Sequence, residues 1–168
     1  MTVPGSAFGA NFFLSPSGQH RTLEGVYQDV VRFMREDPDA SYKLIVGSDS
    51  QTRQDLVFVT AVVIHRQGKG ARYYYQRTHH RRMSSLRQRI LFETSLSLAV
   101  AGELERLFAE HGPAELDMEV HIDIGPDGDT RELIREIVGM VLGSGFDAKI
   151  KPDAYAASSV ADRYTKNG

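Results

Sequence analysis

The first twenty residues show no hydrophobic period. Rich in Gly, Ser, Pro and Phe, they predict an irregular arm, with Phe8, Phe12 and Phe13 packing on the domain or on a neighbouring subunit. From Thr22, Leu23, Val26, Tyr27, Val30, Val31 and Met34 recur at three- and four-residue spacing. That is the apolar face of a helix capped by Thr22 and ended by "DPDA". "LIVGSDSQ" then places an aliphatic run in front of Asp49, a strand over Lys43–Ser48. The β-branched run 55–66, the turn "QGKG" and "ARYYYQRTH" predict a hairpin. A long helix follows over "MSSLRQRILFETSLSLAVAGELERLFAEHG", capped by Ser84 or Ser85 and stopped at Gly112-Pro113. Leu116, Met118, Val120 and Ile122 alternate as a fourth strand, "DTRELIREIVGMVLGSG" is a helix, "FDAKIK" a short fifth strand, and "DAYAASSVADRYTK" a final helix.

The order β-β-β-α-β-α-β-α sets the fold class. An antiparallel hairpin is followed by alternating strands and helices, which requires parallel pairing through helical crossovers. The expectation is an α/β chain with a mixed five-stranded sheet flanked by helices. It forms one domain over 1–168, with an N-terminal arm and extra helix (1–40) before the core (41–168).

The strands bring acids to one edge. The first runs into Asp49, the fourth into Asp123, and the fifth stops just before Asp153 at the start of the last helix. Ligands of open α/β sheets gather beyond the carboxyl ends of parallel strands. On the long helix, Glu93 falls on the stripe of Leu86, Ile90, Ser97, Val100, Leu104 and Leu107. A buried, unpaired carboxylate is costly, so Glu93 calls for a metal, a cation or a proton. The plainer readings are polar caps for the aspartates, and for Glu93 an ion pair with Arg89 or a place at the wet edge of the stripe. There is no Cys, which excludes disulfides and thiolate zinc sites. An all-oxygen donor set suits Mg²⁺ or Mn²⁺, and two such ions would serve in-line displacement at phosphate.

Composition adds boundaries. With 41% apolar and 25% charged residues the chain reads as a globular, cytoplasmic protein, and no apolar run is long enough to span a membrane. The net charge of −2 selects no partner by itself, so local clustering matters more. "RTHHRRMSSLRQR" supplies Arg77, Arg81, Arg82, Arg87 and Arg89 without an acid, beside Tyr73 to Tyr75. It reads either as a phosphate-binding stretch with stacking platforms or as a solvated basic loop. Lys151 either neutralises the acids, touches a phosphate or occupies a plain turn. His121, two residues before Asp123, is a candidate for proton transfer or a satisfied buried histidine. "GPDGDT" lacks calcium-loop spacing and reads as a helix start at Asp129 or Thr130.

The element order and the placement of Asp49, Glu93, Asp123 and Asp153 resemble the ribonuclease H-like superfamily. "VGSDSQ", "LFETSLSLA", "HIDIGPDGDTRELIREIVGMV" and "GFDAKIKPDAYAASSVADRYTK" are similar to the bacterial YkuK-type family within it. The resemblance spans roughly residues 10–167. It implies a ribonuclease H-like fold and metal-dependent hydrolysis of RNA or DNA, with Asp49 as the acid shared by both metals. By the same resemblance Glu93, Asp123 and Asp153 complete the set. Departures are Ser50-Gln51 after Asp49, the long lead-in before the first strand, and Asp162 as a rival to Asp153. The alternatives are a non-catalytic binding module on this fold and a small-molecule phosphatase or nucleotide hydrolase. The oligomeric state is left open.

Overall fold

A computed structural model describes residues 12–52, 54–113, 116–125 and 131–154. Its elements are β1 (Phe13–Leu14), β2 (His20–Arg21), α1 (Leu23–Glu36), β3 (Tyr42–Thr52), β4 (Leu56–Arg66), β5 (Ala71–His80), α2 (Leu86–His111), β6 (Asp117–Ile122), α3 (Arg131–Gly143) and β7 (Asp147–Lys149). The sheet has seven strands in the order β2-β1-β5-β4-β3-β6-β7. β3, β4 and β5 pair antiparallel, whereas β6 lies parallel to β3 and β7 parallel to β6.

The five expected core strands are all present. The sheet is wider because the arm is not irregular throughout: β1 and β2 pair with each other, and Leu14 pairs with Tyr75 of β5. Two-residue strands are too short for a period to show in sequence. Phe13 is buried at 2% exposure, whereas Phe12 stays 49% exposed; Phe8 lies outside the described residues.

α1 forms where expected, with Thr22 Oγ1 accepting from Gly25 N at 3.0 Å. Its buried face is Val26, Tyr27, Val30 and Phe33, with Leu23, Val31 and Met34 at the margins. Phe33 joins that face because Arg66 stacks on its outer side, 3.9 Å from the ring centroid, while donating to its carbonyl at 2.7 Å. α2 starts at the Ser85 cap and stops at Gly112, whose φ of 76° is the left-handed backbone that glycine tolerates. Leu86 is 50% exposed and leaves the predicted stripe. The final helix and the "GPDGDT" segment lie outside the described residues, apart from Asp153, Ala154 and Gly125.

The sheet has two unlike faces. Leu44 and Val46 of β3, Val62 and Ile64 of β4, Tyr74 of β5, and Val120 and Ile122 of β6 pack under the three helices in one core. Ile45, Ala61 and Val63 form a separate apolar group on the other face, with Tyr73 against it. Period-two alternation makes this division.

Phe13→Ala tests whether the arm is part of the folded sheet. Loss of a fully buried ring is expected to cost about 3–5 kcal/mol in urea unfolding. A loss below about 1 kcal/mol would detach the arm from the cooperative unit.

Candidate functional site

β3 does not end at Asp49 but continues to Thr52, paired with β4 throughout. What ends there is the parallel ladder: its last pair is Ser48 with Ile122, so the next residue on each strand is Asp49 and Asp123. Neighbouring strands run about 4.8 Å apart. The register therefore sets these two aspartates side by side at one end of the sheet.

Glu93 comes over that end from α2. It is 6% exposed, held on the helix face that also buries Ser97, Val100 and Leu104. Ser50 Oγ donates to Glu93 Oε1. One turn along, Ser48 Oγ and Ser97 Oγ lie 2.8 Å apart, and Ser48 Oγ lies 3.0 Å from Thr60 Oγ1. Two hydroxyl rungs thus lock α2 to β3. Alternation turns Ser48 and Ser50 toward α2 and places Asp49 on the other face. Asp49 is half-buried, and its Oδ1 accepts from Ser50 N at 2.8 Å, a bond that a plain polar turn would also make.

The electrostatics tie the three acids together. Burial pushes the Glu93 carboxyl up to about 8; the Ser50 hydroxyl opposes that, and repulsion from Asp49 and Asp123 adds to it. Arg89 pulls the other way as the weakest of these causes. Arg89 does not form the ion pair with Glu93 that one of the plainer readings calls for. Its Nη1 reaches Thr52 Oγ1 at 3.4 Å, and its buried Nε has no hydrogen-bond partner.

Asp123 pairs with Lys151, Nζ to Oδ1 at 2.6 Å. Asp153 is exposed and lines a cavity of about 570 Å³ with Lys43, Ile45, Val63, Glu119, His121 and Lys149. That cavity opens on the face away from the helices. His121 belongs there as well: Nε2 lies 3.0 Å from Glu119 Oε1, and the other carboxylate oxygen of Glu119 meets Lys43 Nζ at 3.0 Å. Burial holds the His121 pKa below its usual value, against the pull of Glu119. It is the buried, satisfied kind of histidine at Nε2, with an unpartnered Nδ1. Among the described residues, no three His, Asp or Glu side chains stand close enough together to form a ready-made metal cage.

The basic run divides. Arg87 is forked onto Glu136 of α3, with Nη2 to Oε1 at 2.7 Å. Arg77, Arg81 and Arg82 are exposed. Of the three expected stacking platforms, Tyr74 and Tyr75 are buried at 5% and 7%, with Arg77 5.7 Å from the Tyr75 ring, whereas Tyr73 is partly buried against Ile45, Ala61 and Val63. No helix among the described residues is long and apolar enough to cross a membrane.

Sequence reasoning put Ser97 on the α2 stripe and noted Ser50 after Asp49, but missed the bonds both make between α2 and β3, and missed Ser48 and Thr60 altogether. A signal existed: serines at alternate positions of a buried strand opposite a serine four residues after Glu93.

A family model described as Ribonuclease H-like matches residues 25–166. The chain belongs to the ribonuclease H-like family. It is 39% identical over 167 residues to the uncharacterized protein YkuK of Bacillus subtilis (strain 168), covering 92% of this chain and 96% of that one. No solved structure matches. The α/β architecture, with its mixed sheet and helices, is that of a ribonuclease H-like fold, a fold generally associated with divalent metals. Family membership points to a nuclease-type or nucleic-acid-related role.

Glu93 gives a pH signature in chelator. Its folded pKa lies above the unfolded value, so its protonated form adds stability below about pH 4.5, and that contribution is lost as pH rises toward 8. Stability should fall across that window by up to about 1.4 kcal/mol per pH unit from this group. In Glu93→Gln the fall should be absent. Thermal melts of both proteins with EDTA check this, and parallel curves would show that Glu93 titrates normally.

Proposed function

We propose that the protein is a metal-dependent nuclease that hydrolyses phosphodiester bonds of nucleic acid at Asp49, Glu93 and Asp123. The observation that carries this is Glu93: a carboxylate buried by helix packing, made hard to ionise by burial, and placed within the field of two aspartates at the parallel strand ends. A chain of this family has a direct use for such an acid. Its cost is relieved by a hard cation, and the donors are all oxygen, which suits Mg²⁺ or Mn²⁺.

When bound, divalent metal would polarise the scissile phosphate and lower the pKa of attacking water. The remaining work belongs to the chain. Asp49, Glu93 and Asp123 would hold the ions, Ser50 would fix the Glu93 carboxylate, and Asp153 is kept as an outer candidate on the face away from the helices, the one that Asp49 also takes. Arg77, Arg81 and Arg82 would take substrate phosphates beside the start of α2, with Lys151 at the mouth. Arg87 and Arg89 would contribute less, because Glu136 and Thr52 already engage them.

Asp49→Asn separates a metal site from a polar turn. It removes a charge that opposes ionisation of Glu93, so the variant should be as stable as the parent in chelator, or more so. It should gain little from millimolar Mn²⁺, whereas the parent's Tm should climb with metal, since an ion that binds only the folded form stabilises it. Hydrolysis of labelled RNA and DNA should be lost in the variant. A variant destabilised by about 1 kcal/mol in chelator, yet fully stabilised by Mn²⁺, would return Asp49 to a turn residue.

Salt dependence tests the arginines. If about three phosphates are neutralised, raising salt from about 50 to 200 mM should weaken binding to duplex on the order of fortyfold. Combined Arg81→Ala and Arg82→Ala should flatten that dependence, whereas Arg87→Ala should chiefly lower stability. Unchanged affinity after the double substitution removes the basic run from the interface.

A further inference from the structure

The turn after β7 is tied to the acids by its backbone. Lys151 N donates to Ile124 O at 3.0 Å, one residue beyond Asp123, and Ala154 N donates to Ile150 O at 2.9 Å. The main chain of Lys151 is therefore anchored beside Asp123, and its ammonium reaches Oδ1 at 2.6 Å. The partners differ in freedom: the lysine side chain is 54% exposed, the aspartate 17%. A four-carbon stem on a fixed backbone lets the ammonium leave without disturbing the turn.

An ammonium and a divalent ion compete for such an oxygen. Mg²⁺ binds carboxylate oxygen at about 2.0–2.1 Å, so both cations on Asp123 would lie within a few ångströms of each other. At that range, in a partly buried site, their repulsion is large. Nothing else described takes up the charge of Asp123 in this way. Lys149 pairs with His121 and lines the cavity beside Glu119, and Arg89 is directed to Thr52.

Resting on the metal reading above, we infer that Lys151 is the site's internal counter-ion: it holds Asp123 while no ion is bound and yields it to a divalent ion. Lys151 thereby sets the metal affinity of the site. Once displaced it is an ammonium tethered at the mouth, positioned for the phosphate of a bound nucleic acid. The rival is a structural ion pair at a residue that takes no part in holding metal, so that freeing Asp123 leaves Mn²⁺ binding no tighter.

Mn²⁺ binding to the full-length chain decides, measured by calorimetry for the parent, Lys151→Gln and Lys151→Arg. Loss of a partly exposed competitor should tighten Mn²⁺ binding to Lys151→Gln about two- to fivefold. Lys151→Arg, whose planar fork grips a carboxylate through two bonds, should bind Mn²⁺ no better than the parent. Melting in chelator should show Lys151→Gln less stable than the parent, with a larger rise on adding Mn²⁺. Equal or weaker Mn²⁺ binding by Lys151→Gln, with the parent binding normally, overturns the counter-ion role and leaves the metal site standing. If neither the parent nor the variant binds Mn²⁺, the metal reading falls and the inference with it.

Discussion

The site depends on one enforced burial, that of the Glu93 carboxylate beneath α2. Alone, that side chain would turn to water, because an unpaired buried carboxylate is among the costliest groups a protein can hold. It cannot turn, because the helix that carries it is fixed by other residues. Val100, Ala101 and Leu104 lie further along α2 and are fully buried. Rotating α2 enough to expose Glu93 would pull them from the core, at roughly 2–5 kcal/mol for each large aliphatic side chain. The hydroxyl rungs of Ser48 and Ser50 then fix the axial position. Apolar packing thus places an acid where electrostatics would not.

The partners of Glu93 are set by register. β6 aligns with β3 residue for residue from Lys43 and Asp117 up to Ser48 and Ile122, and the two aspartates follow as the next pair. A slip of one residue would reverse the faces of β6. Val120 and Ile122 would leave the helical core, and Glu119 and His121 would enter it. The hydrophobic cost of that slip protects the alignment of Asp49 with Asp123, and the Lys43–Glu119–His121 chain on the opposite face enforces it again.

These levels were unequally legible in the sequence. The core strands and α1 through α3 could be read because their apolar periods are long, and the burial of Glu93 followed from its place between Ile90 and Ser97. The convergence of Asp49 and Asp123 was legible as strand endings, although β3 runs on past Asp49, because β4 accompanies it beyond the point where β6 stops. The arm strands were not legible: two residues carry no period, and their pairing depends on the unpaired edge of β5. Nor was the buried state of Tyr74 and Tyr75, since a tyrosine run on a strand does not show that α1 covers the one, through Asp29, and the β1 residue Leu14 the other. The division of the arginines was decided by Glu136, 49 residues from Arg87 and on another helix.

That division shapes how a polyanion would approach. The chain carries a net charge of −2, so it offers no overall attraction, and any pull is confined to within about 8–10 Å of a local cluster in physiological salt. The exposed cluster runs from Arg77 at the end of β5 through Arg81 and Arg82 to the first turn of α2. Glu93 lies seven residues after Leu86, about 10 Å along the helix axis. The cluster and the acids are therefore about one screening length apart. A backbone held by these arginines would bring its phosphates toward the acidic end, because Arg77 aligns through Val59 with Asp49, two strands across the sheet. Arg87 and Arg89, farther along α2, are engaged by Glu136 and Thr52. Among the described residues Lys151, on an exposed side chain, reaches Asp123 by a direct ion pair, so the acidic end carries a local cation of its own beside the arginine cluster.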